Sequence, residues 1–383
     1  MLGCRSKSTL ATIIKEDPFL NNIAKNKKEY RLQIIYTRVH SNSIGKVTFQ
    51  DFLFNVDTGL YFYPASTAKV VISALALEKI HTVFNDKITA ATPLKAYAAG
   101  TCQTNEFNDS TSSDGKPSIE QYIKRMLLVS DNYAYNRVFD FLGQDYIQER
   151  LTALLDTNAR IIQRLDPACN PDLNRAHNKF CFYPNDDTTR VILAQAKTSK
   201  VFQNPLNDVA VGNAYYFGDS LINSPKQFRF NNNLSLMNIH SSLEKIIFPD
   251  VFSESKQFHL ESYDYCFLKK YLGMYPFESD FPKYDSSYFP AYKKYFYYGQ
   301  DKNASIDSNL RIYNIVGQAY GFTTDAAFFS DSKNNITFFL SATIYTNKDG
   351  ILNDNKYEYE TIAQPFLMNL GRRVYQYEVR HKK

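Results

Sequence analysis

Ser66 and Lys69 are the first two residues in the chain whose types and spacing could do chemistry. An aromatic, strand-like run ends at Pro64, and an apolar run that is typical of a helix begins at the serine. Residues three apart lie on one face of a helix, so the ammonium of Lys69 can reach the hydroxyl of Ser66. A desolvated lysine that takes the proton of a serine hydroxyl makes that serine a nucleophile.

The same pair also fits a helix cap with a surface lysine, because serine is a common residue at helix starts. The string S-x-x-K is weak evidence alone, since the chain repeats it at Ser43, Ser113, Ser242, Ser253 and Ser330. None of those serines opens a long apolar run. The pair therefore needs support from elsewhere in the chain.

A second polar group, Ser130-Asp131-Asn132, follows an apolar helix that is predicted to begin after Ser118. Such residues are common at helix ends and in turns. Beside an activated serine they have another use, because cleavage of an amide requires a proton for the leaving nitrogen. A second hydroxyl can deliver that proton, and a side-chain amide can hold the substrate.

A third stretch, Ile315–Ala327, contains two glycines together with Tyr320, Asp325 and Ala327. With these three stretches in this order, the chain resembles the penicillin-recognising serine enzymes, and among them the class A β-lactamases most. The resemblance spans residues 10–185 and 305–380. It implies an α/β fold of the β-lactamase/transpeptidase type, in which helices flank an antiparallel five-stranded sheet, plus a helical region.

The resemblance also implies roles for the matching residues. Ser66 would be the acylated nucleophile, and Lys69 would accept its proton. Ser130 would pass a proton to the leaving nitrogen, and Asn132 would bind the side-chain amide of the substrate. The substrate would be a β-lactam or a peptide of the cell wall.

The strand that begins the third stretch matches the family only in part. Gly317 matches the strand glycine, and the backbone N–H groups of Gln318 and Ser66 would form the oxyanion hole. The lysine and the hydroxyl residue before that glycine are replaced by Ile315 and Val316. The strand therefore lacks the cation and the hydroxyl that in the family face the substrate carboxylate and support the Ser130 relay.

Two other residues were considered as substitutes for the missing lysine. A shift of the register by one residue puts Asn314 there, which carries no charge. Arg311 lies on the same strand face as Ile315 but about 13 Å along the strand. Neither replaces the lysine well.

The loop Arg164–Asn174 departs from the family where the class A enzymes carry the glutamate that activates water. An alignment on the later part of the loop puts Asn170 at that position, and an amide cannot be a general base. An alignment on the earlier part puts Asp166 there, and Asp172 is a third candidate. We favour the alignment that puts Asn170 at the position of the glutamate, as a residue that binds the substrate, with Asp166 as the possible base.

Composition excludes several classes of function. The chain has 383 residues, a formal net charge of +5 and scattered basic residues, so no nucleic-acid surface is predicted. The six histidines have no ligand spacing, and no cofactor fingerprint is present, so no metal and no cofactor are predicted. We expect a monomer whose partner is a small-molecule substrate.

The cysteines bear on the location of the protein. The start, Met1-Leu2-Gly3-Cys4, is like the site at which bacterial lipoproteins are cleaved and lipidated, although no hydrophobic segment precedes it. Cys4 could thus carry a lipid anchor, which predicts an exported protein in the periplasm or on the outer surface. Cys169 and Cys181 could pair across a loop, but sequence does not establish which cysteines pair.

Hydrophobic periodicity predicts the remaining elements. Strands are expected at 31–39, 46–54, 311–318, 326–330 and 335–345. Helices are expected at 9–28 (interrupted near Pro18), 145–157, 187–200, 235–247, 262–273 and 356–377 (bent at Pro365). Long loops are expected at 201–233 and 275–299, where they would line a site or cover the core.

These elements divide the chain into a tether (1–8), a discontinuous α/β part (9–65 and 305–383) and a mainly helical part (66–304). The helical part includes an aromatic-rich insert at 200–300, which could instead serve a partner in a cell-wall scaffold. The leading hypothesis is a serine acyl-enzyme hydrolase. The alternative is a penicillin-binding or sensor protein with little turnover, because the strand lysine and the loop glutamate are altered.

Overall fold

Five antiparallel strands form the sheet on which the rest of the chain is built. The computed structural model describes residues 3–382, apart from 43, 86, 101, 167–168 and 185–189, and the backbone alone of residues 3–8. The helices are α1 (Gly3–Lys15), α2 (Pro18–Lys25), α3 (Ala68–Phe84), α4 (Ile119–Val129), α5 (Asn132–Leu142), α6 (Gln144–Leu154), α7 (Leu236–Ile247), α8 (Ser262–Gly273) and α9 (Gln364–His381). The strands are β1 (Gln33–Ser41), β2 (Val47–Phe54), β3 (Leu94–Tyr97), β4 (Ala176–His177), β5 (Lys179–Phe182), β6 (Val191–Leu193), β7 (Ala196–Lys197), β8 (Ala210–Val211), β9 (Ala214–Phe217), β10 (Ser220–Ile222), β11 (Lys226–Gln227), β12 (Leu310–Ala319), β13 (Phe322–Asp331), β14 (Ile336–Tyr345) and β15 (Ile351–Leu352).

The order of the large sheet is β12-β13-β14-β1-β2, so the two ends of the chain meet in its centre. β1 pairs with β14 in the register Gln33↔Thr343, and β12 pairs with β13 in the register Gly317↔Thr324. The five predicted strands are all present, and the predicted fold class is confirmed.

The sheet separates two apolar layers, because successive residues of a strand point to opposite faces. Ile34 packs in the layer that also contains Leu20 of α2 and Phe366 of α9. Ile35 packs in the other layer, with Val70 of α3. Helix α3 is buried on all sides, which fits its apolar sequence and places its first turn deep beside the sheet.

The helical part is built around α3 and contains a helix, α5, that was not predicted. Ser118 caps α4 by accepting a hydrogen bond from the N–H of Gln121, as expected. The polar group after α4 is not a transition into a loop, because α5 begins at once at Asn132. Asp131 makes this possible, since its carboxylate caps α5 by accepting from the N–H of Ala134.

Three other element predictions need correction. The described part of 187–200 forms β6 and β7 instead of a helix, and β6 extends the β3-β5 pairing with its apolar residues. The closing helix is regular only from Gln364, after a π-helical turn at Tyr359–Ala363. Pro365 lies in its first turn, where the missing N–H costs no hydrogen bond, so it does not bend the helix.

The N-terminal helix is also longer than predicted, since α1 begins at Gly3 and takes in most of the stretch expected to be a tether. The side chain of Cys4 lies outside the described residues, and the lipid anchor stays a prediction. The division of the chain into parts stays a prediction as well. None of the helices that the structure describes is long and apolar enough to cross a membrane.

The disulfide bond joins Cys169 to Cys102, not to Cys181, which is a free and buried cysteine of β5. The bond ties the loop that follows Leu165 to the segment after β3. Sequence spacing favoured the nearer partner, but the pairing is decided by which chain segments lie side by side in the fold.

Candidate active site

Ser66 lies in a short 3₁₀ turn, Ala65–Thr67, which leads directly into α3. Pro64 ends the preceding extended run, and Ala65 has a φ of 46°, a left-handed conformation that is unusual for a residue with a side chain. The turn is held by Thr67, whose N–H and hydroxyl both donate to the carbonyl oxygen of Pro64, at 3.1 and 2.6 Å. The serine hydroxyl is thus presented on a sharp, well-supported corner at the start of a buried helix.

Lys69 joins the polar residues of the site. Its side chain is fully buried, and its Nζ lies 2.9 Å from the Oγ of Ser66. The same atom lies 2.9 Å from the Oγ and 2.5 Å from the carbonyl oxygen of Ser130, and 2.6 Å from the Oδ1 of Asn132. The S-x-x-K and Ser-Asp-Asn groups, which are about sixty residues apart in the chain, therefore form one hydrogen-bonded cluster.

The environment of Lys69 favours its neutral form. Burial, and next the positive charge of Lys293, lower the pKa of Lys69 well below its ordinary range, while Asp131 acts in the opposite direction. A neutral amine keeps a lone pair that can take the hydroxyl proton of Ser66. A surface lysine, the alternative that the sequence left open, is excluded by its burial.

Ser130 and Asn132 reach the cluster because of the tight connection between α4 and α5. Ser130 ends α4 in a left-handed conformation, with a φ of 63°. Asp131 accepts from the guanidinium of Arg125, at 2.8 and 2.7 Å, while it caps α5. The aspartate of the motif thus fixes the backbone, and its two neighbours are free to point at Lys69.

The strand β12 forms the opposite wall of the site. A Cβ at Gly317 would lie only 2.5 Å from the carbonyl oxygen of Pro64, so this position requires glycine for the strand to approach the Ser66 turn. Gln318, the next residue, lines the same groove as Ser66. The two residues whose N–H groups are expected to form an oxyanion hole are therefore brought to one place.

The groove above Ser66 has a volume of about 510 Å³. Asn132, Asp166 and Gln318 line it beside Ser66, and tyrosines form much of the remaining wall: Tyr63, Tyr320, Tyr357 and Tyr359. The last two come from the segment before α9. No motif in the sequence indicated them, because an aromatic residue in a chain this rich in tyrosine gives no local signal.

The loop after α6 brings Asp166, and not Asn170, to the groove. Asn136 of α5 holds the backbone of Leu165 with two hydrogen bonds, of 2.7 and 2.9 Å, and Asp166 follows directly. Asn170 is exposed, and its Oδ1 accepts from the N–H of Leu173. Asp172 is exposed too, and its carboxylate accepts from Lys197 and Arg175.

The altered positions of β12 are buried and apolar. Ile315 and Val316 are each 3 % exposed, and neither carries a group that could bind a substrate carboxylate. Arg311 forms an ion pair with Glu278, at 2.8 Å. It is not a substitute for the missing lysine, as the sequence spacing predicted.

Comparisons with known proteins agree with this geometry. The model of the β-lactamase enzyme family matches residues 19–199, which include the S-x-x-K and Ser-Asp-Asn groups and Asp166. No curated protein matches the chain.

Two solved structures are similar to the whole chain. A β-lactamase from Xanthomonas campestris pv. campestris is 13 % identical, with a TM-score of 0.52, over 96 % of this chain and 97 % of its own. A β-lactamase from Desulfarculus baarsii is 13 % identical, with a TM-score of 0.51, over 97 % of each chain. These likenesses confirm the fold, and together with the family match they support a β-lactamase-like hydrolase.

Proposed function

We propose that this β-lactamase-like chain is a serine acyl-enzyme hydrolase, which opens a β-lactam or a related cell-wall amide through Ser66. The observation that carries the proposal is the position of the Lys69 Nζ, within hydrogen-bond distance of Ser66, Ser130 and Asn132. A buried lysine with a lowered pKa, bonded to a serine on a helix start, is the arrangement that nucleophilic catalysis requires.

Acylation follows from these contacts. The Ser66 Oγ forms a bond to the amide carbonyl carbon, and its proton passes to the Lys69 Nζ. The N–H groups of Ser66 and Gln318 stabilise the negative charge on the carbonyl oxygen. The C–N bond then breaks as the Ser130 hydroxyl gives its proton to the nitrogen and takes one from Lys69. Asn132 holds the substrate.

Deacylation needs a base that removes a proton from water. We assign it to Asp166, because its residue lines the groove beside Ser66. Its carboxylate is also close enough to Tyr320 to add to the effect of burial in raising the pKa of that phenol. Water then adds to the ester carbon as its proton passes to Asp166, and the bond from that carbon to the Ser66 Oγ breaks as Asp166 gives the proton to the Oγ. The sequence also gave Asp166 as the possible base, although the favoured alignment put Asn170 at the position of the family's glutamate.

Asp166→Asn is expected to slow the decay of the acyl-enzyme by about 10²–10⁴-fold, the usual contribution of a general base. The rate at which the acyl-enzyme forms should stay close to that of the wild type. Asp172→Asn is the matched control, since that carboxylate is held by Lys197 and Arg175 outside the groove. If the acyl-enzyme of Asp166→Asn decays as fast as that of the wild type, another group activates the water.

The protein is proposed to work outside the cytoplasm of a bacterium, as a monomer. The Cys102–Cys169 disulfide supports this location, because such bonds persist in oxidising compartments. Anchoring through Cys4 is part of the same proposal. A penicillin sensor is the second candidate function, because β12 has Ile315 and Val316 at the positions where the family carries a lysine and a hydroxyl residue.

Intact-mass spectrometry after mixing with a penicillin, sampled from seconds to hours, tests the proposal. The hydrolase predicts an adduct of the mass of the penicillin that appears and then decays while the hydrolysed product accumulates. Peptide mapping should place the adduct on Ser66. A persistent adduct on Ser66 would favour the sensor, and the absence of any adduct would contradict both.

A further inference from the structure

A small cavity lies beside Ser130. Ser130, Val316 and Lys293 line it together. Lys293 comes from the segment 275–299 of the long insert, and sequence comparison gave it no role. It stands next to the strand positions where the family carries its lysine and where this chain has Ile315 and Val316.

The backbone of Lys293 is fixed in an unusual conformation. Its φ is 63°, in the left-handed region that favours glycine. Its carbonyl oxygen accepts from the Nδ2 of Asn314 at 2.8 Å, and its N–H donates to the Oε1 of Gln300 at 3.0 Å. A lysine persists in such a conformation only when the surroundings hold it there.

The next residues of the segment are attached to the sheet. The Nζ of Lys294 donates to the Oδ1 of Asn314 at 2.7 Å and to the carbonyl oxygens of Leu272 and Ile312 at 3.0 and 2.8 Å. Asp325 of β13 accepts from Asn314 and from the N–H of Phe296, both at 3.0 Å. Lys294 therefore uses all three of its hydrogens in holding the segment on β12 and α8.

The ammonium of Lys293, in contrast, lies over the ring of Tyr292. Among the residues that the structure describes, no hydrogen bond or ion pair reaches its Nζ, which lies 5.4 Å from the centre of the Tyr292 ring. Burial lowers the pKa of Lys293 to about 8. Its charge in turn lowers the pKa of Lys69, so the two ammonium groups are within electrostatic reach of each other. An unpaired, partly buried charge is costly, and such groups concentrate at functional sites.

We propose that Lys293 is a positioning residue for Ser130 and takes the place of the absent strand lysine. Its ammonium stabilises the negative charge that develops on the Ser130 Oγ while that oxygen gives a proton to the leaving nitrogen. Lys293 keeps its own proton and forms no covalent bond in this step. The inference rests on the proposed function, since the step is part of acylation. The insert therefore supplies the positive charge that β12 lacks.

Lys293→Met tests the role, with Lys293→Arg as the variant that keeps the charge and Lys283→Met as the control. Lys283 is an exposed lysine of the same segment. Acylation by a penicillin should be slowed by about 10²-fold in Lys293→Met, the lower end of a proton-transfer contribution. Lys293→Arg should restore most of the rate, and Lys283→Met should match the wild type.

A second substrate separates this role from a structural one. An aryl thioester expels a thiolate that needs no proton, so its acylation of Ser66, measured at a pH at which Lys69 is neutral in both proteins, should be nearly unchanged in Lys293→Met. Equal slowing with both substrates would show that the substitution merely disturbs the site and would overturn the proposal. Acylation of Lys293→Met by the penicillin at the wild-type rate would overturn it too.

A nitrogen NMR titration of the Lys69 Nζ gives a readout that needs no substrate. Removal of the Lys293 charge should raise the pKa of Lys69, while Lys293→Arg and Lys283→Met should leave it lowered. If the pKa of Lys69 does not change in Lys293→Met, Lys293 does not belong to the cluster. If the wild type is not acylated at all, the proposed function fails, and this titration alone decides the place of Lys293.

Discussion

Ser66→Ala is expected to abolish the covalent adduct and to lower hydrolysis of the substrate by at least about 10⁴-fold. The Oγ of Ser66 is the only hydroxyl oxygen that lines the groove and is bonded to Lys69 in the described structure. Removal of this oxygen leaves the lysine, Ser130 and Asn132 in place but gives them no nucleophile to activate. Intact-mass spectrometry measures the adduct, and absorbance at the β-lactam band measures the hydrolysis.

Ser253→Ala is the control for this prediction. Ser253 also opens an S-x-x-K string, but it is exposed and precedes only the short turn Glu254–Lys256. The variant should be acylated like the wild type. If Ser66→Ala is labelled as rapidly as the wild type, the nucleophile is another residue, and the assignment of the site to Ser66 is wrong.

Lys69→Met should slow acylation by about 10²–10⁴-fold, because it removes the base but retains the length and the apolar stem of the side chain. The Ser66 hydroxyl would then have to lose its proton to water. The link between Ser66 and Ser130 would be lost as well, because the Lys69 Nζ bridges their two hydroxyls at 2.9 Å each. Stopped-flow or mass-spectrometric measurement of adduct formation gives the rate.

The pH dependence of acylation gives a second test of Lys69. The group acts as a base only when it is neutral, so the wild-type rate should fall as the pH drops through the pKa of Lys69. That pKa is lowered by burial and by Lys293, so the fall should occur well below the ordinary range of a lysine. Lys69→Met should lose this limb of the profile.

Lys79→Met is the matched control, since Lys79 lies on the same helix and is 7 % exposed. Its Nζ donates to the carbonyl oxygens of Phe141 and Leu142, at 2.7 and 2.9 Å, away from Ser66. This variant should lose stability in thermal unfolding but keep the acylation rate and its pH profile. If it is acylated as slowly as Lys69→Met, the loss in both variants is one of structure and not of a base.

Much of the fold could be predicted from local patterns. The strands of the large sheet alternate or run apolar over eight to ten residues, α4 and α7 have the periodicity and caps of helices, and α3 is a long apolar run. The pattern was insufficient where short apolar runs have two interpretations. The segment around Ile192 reads as a helix by itself, but forms a strand because β5 offers a partner.

The sequence by itself determined the geometry within each half of the cluster around Ser66, and the fold brings the two halves together. The members of the cluster lie at helix starts and ends, where spacing along the chain dictates geometry: Lys69 follows Ser66 by one helical turn, and Asn132 follows Ser130 across a capped connection. Such local relations hold wherever these elements form.

Only the tertiary structure decided three other features: Asp166 at the groove, the partner of Cys169 and the position of Lys293 beside Ser130. Each depends on which segments from distant parts of the chain are packed side by side. Loops and inserts carry no periodicity that would place a side chain in space. A residue of a distant insert can thus supply a charge that a strand lacks, because electrostatic interactions depend on distance in space and not on distance along the chain.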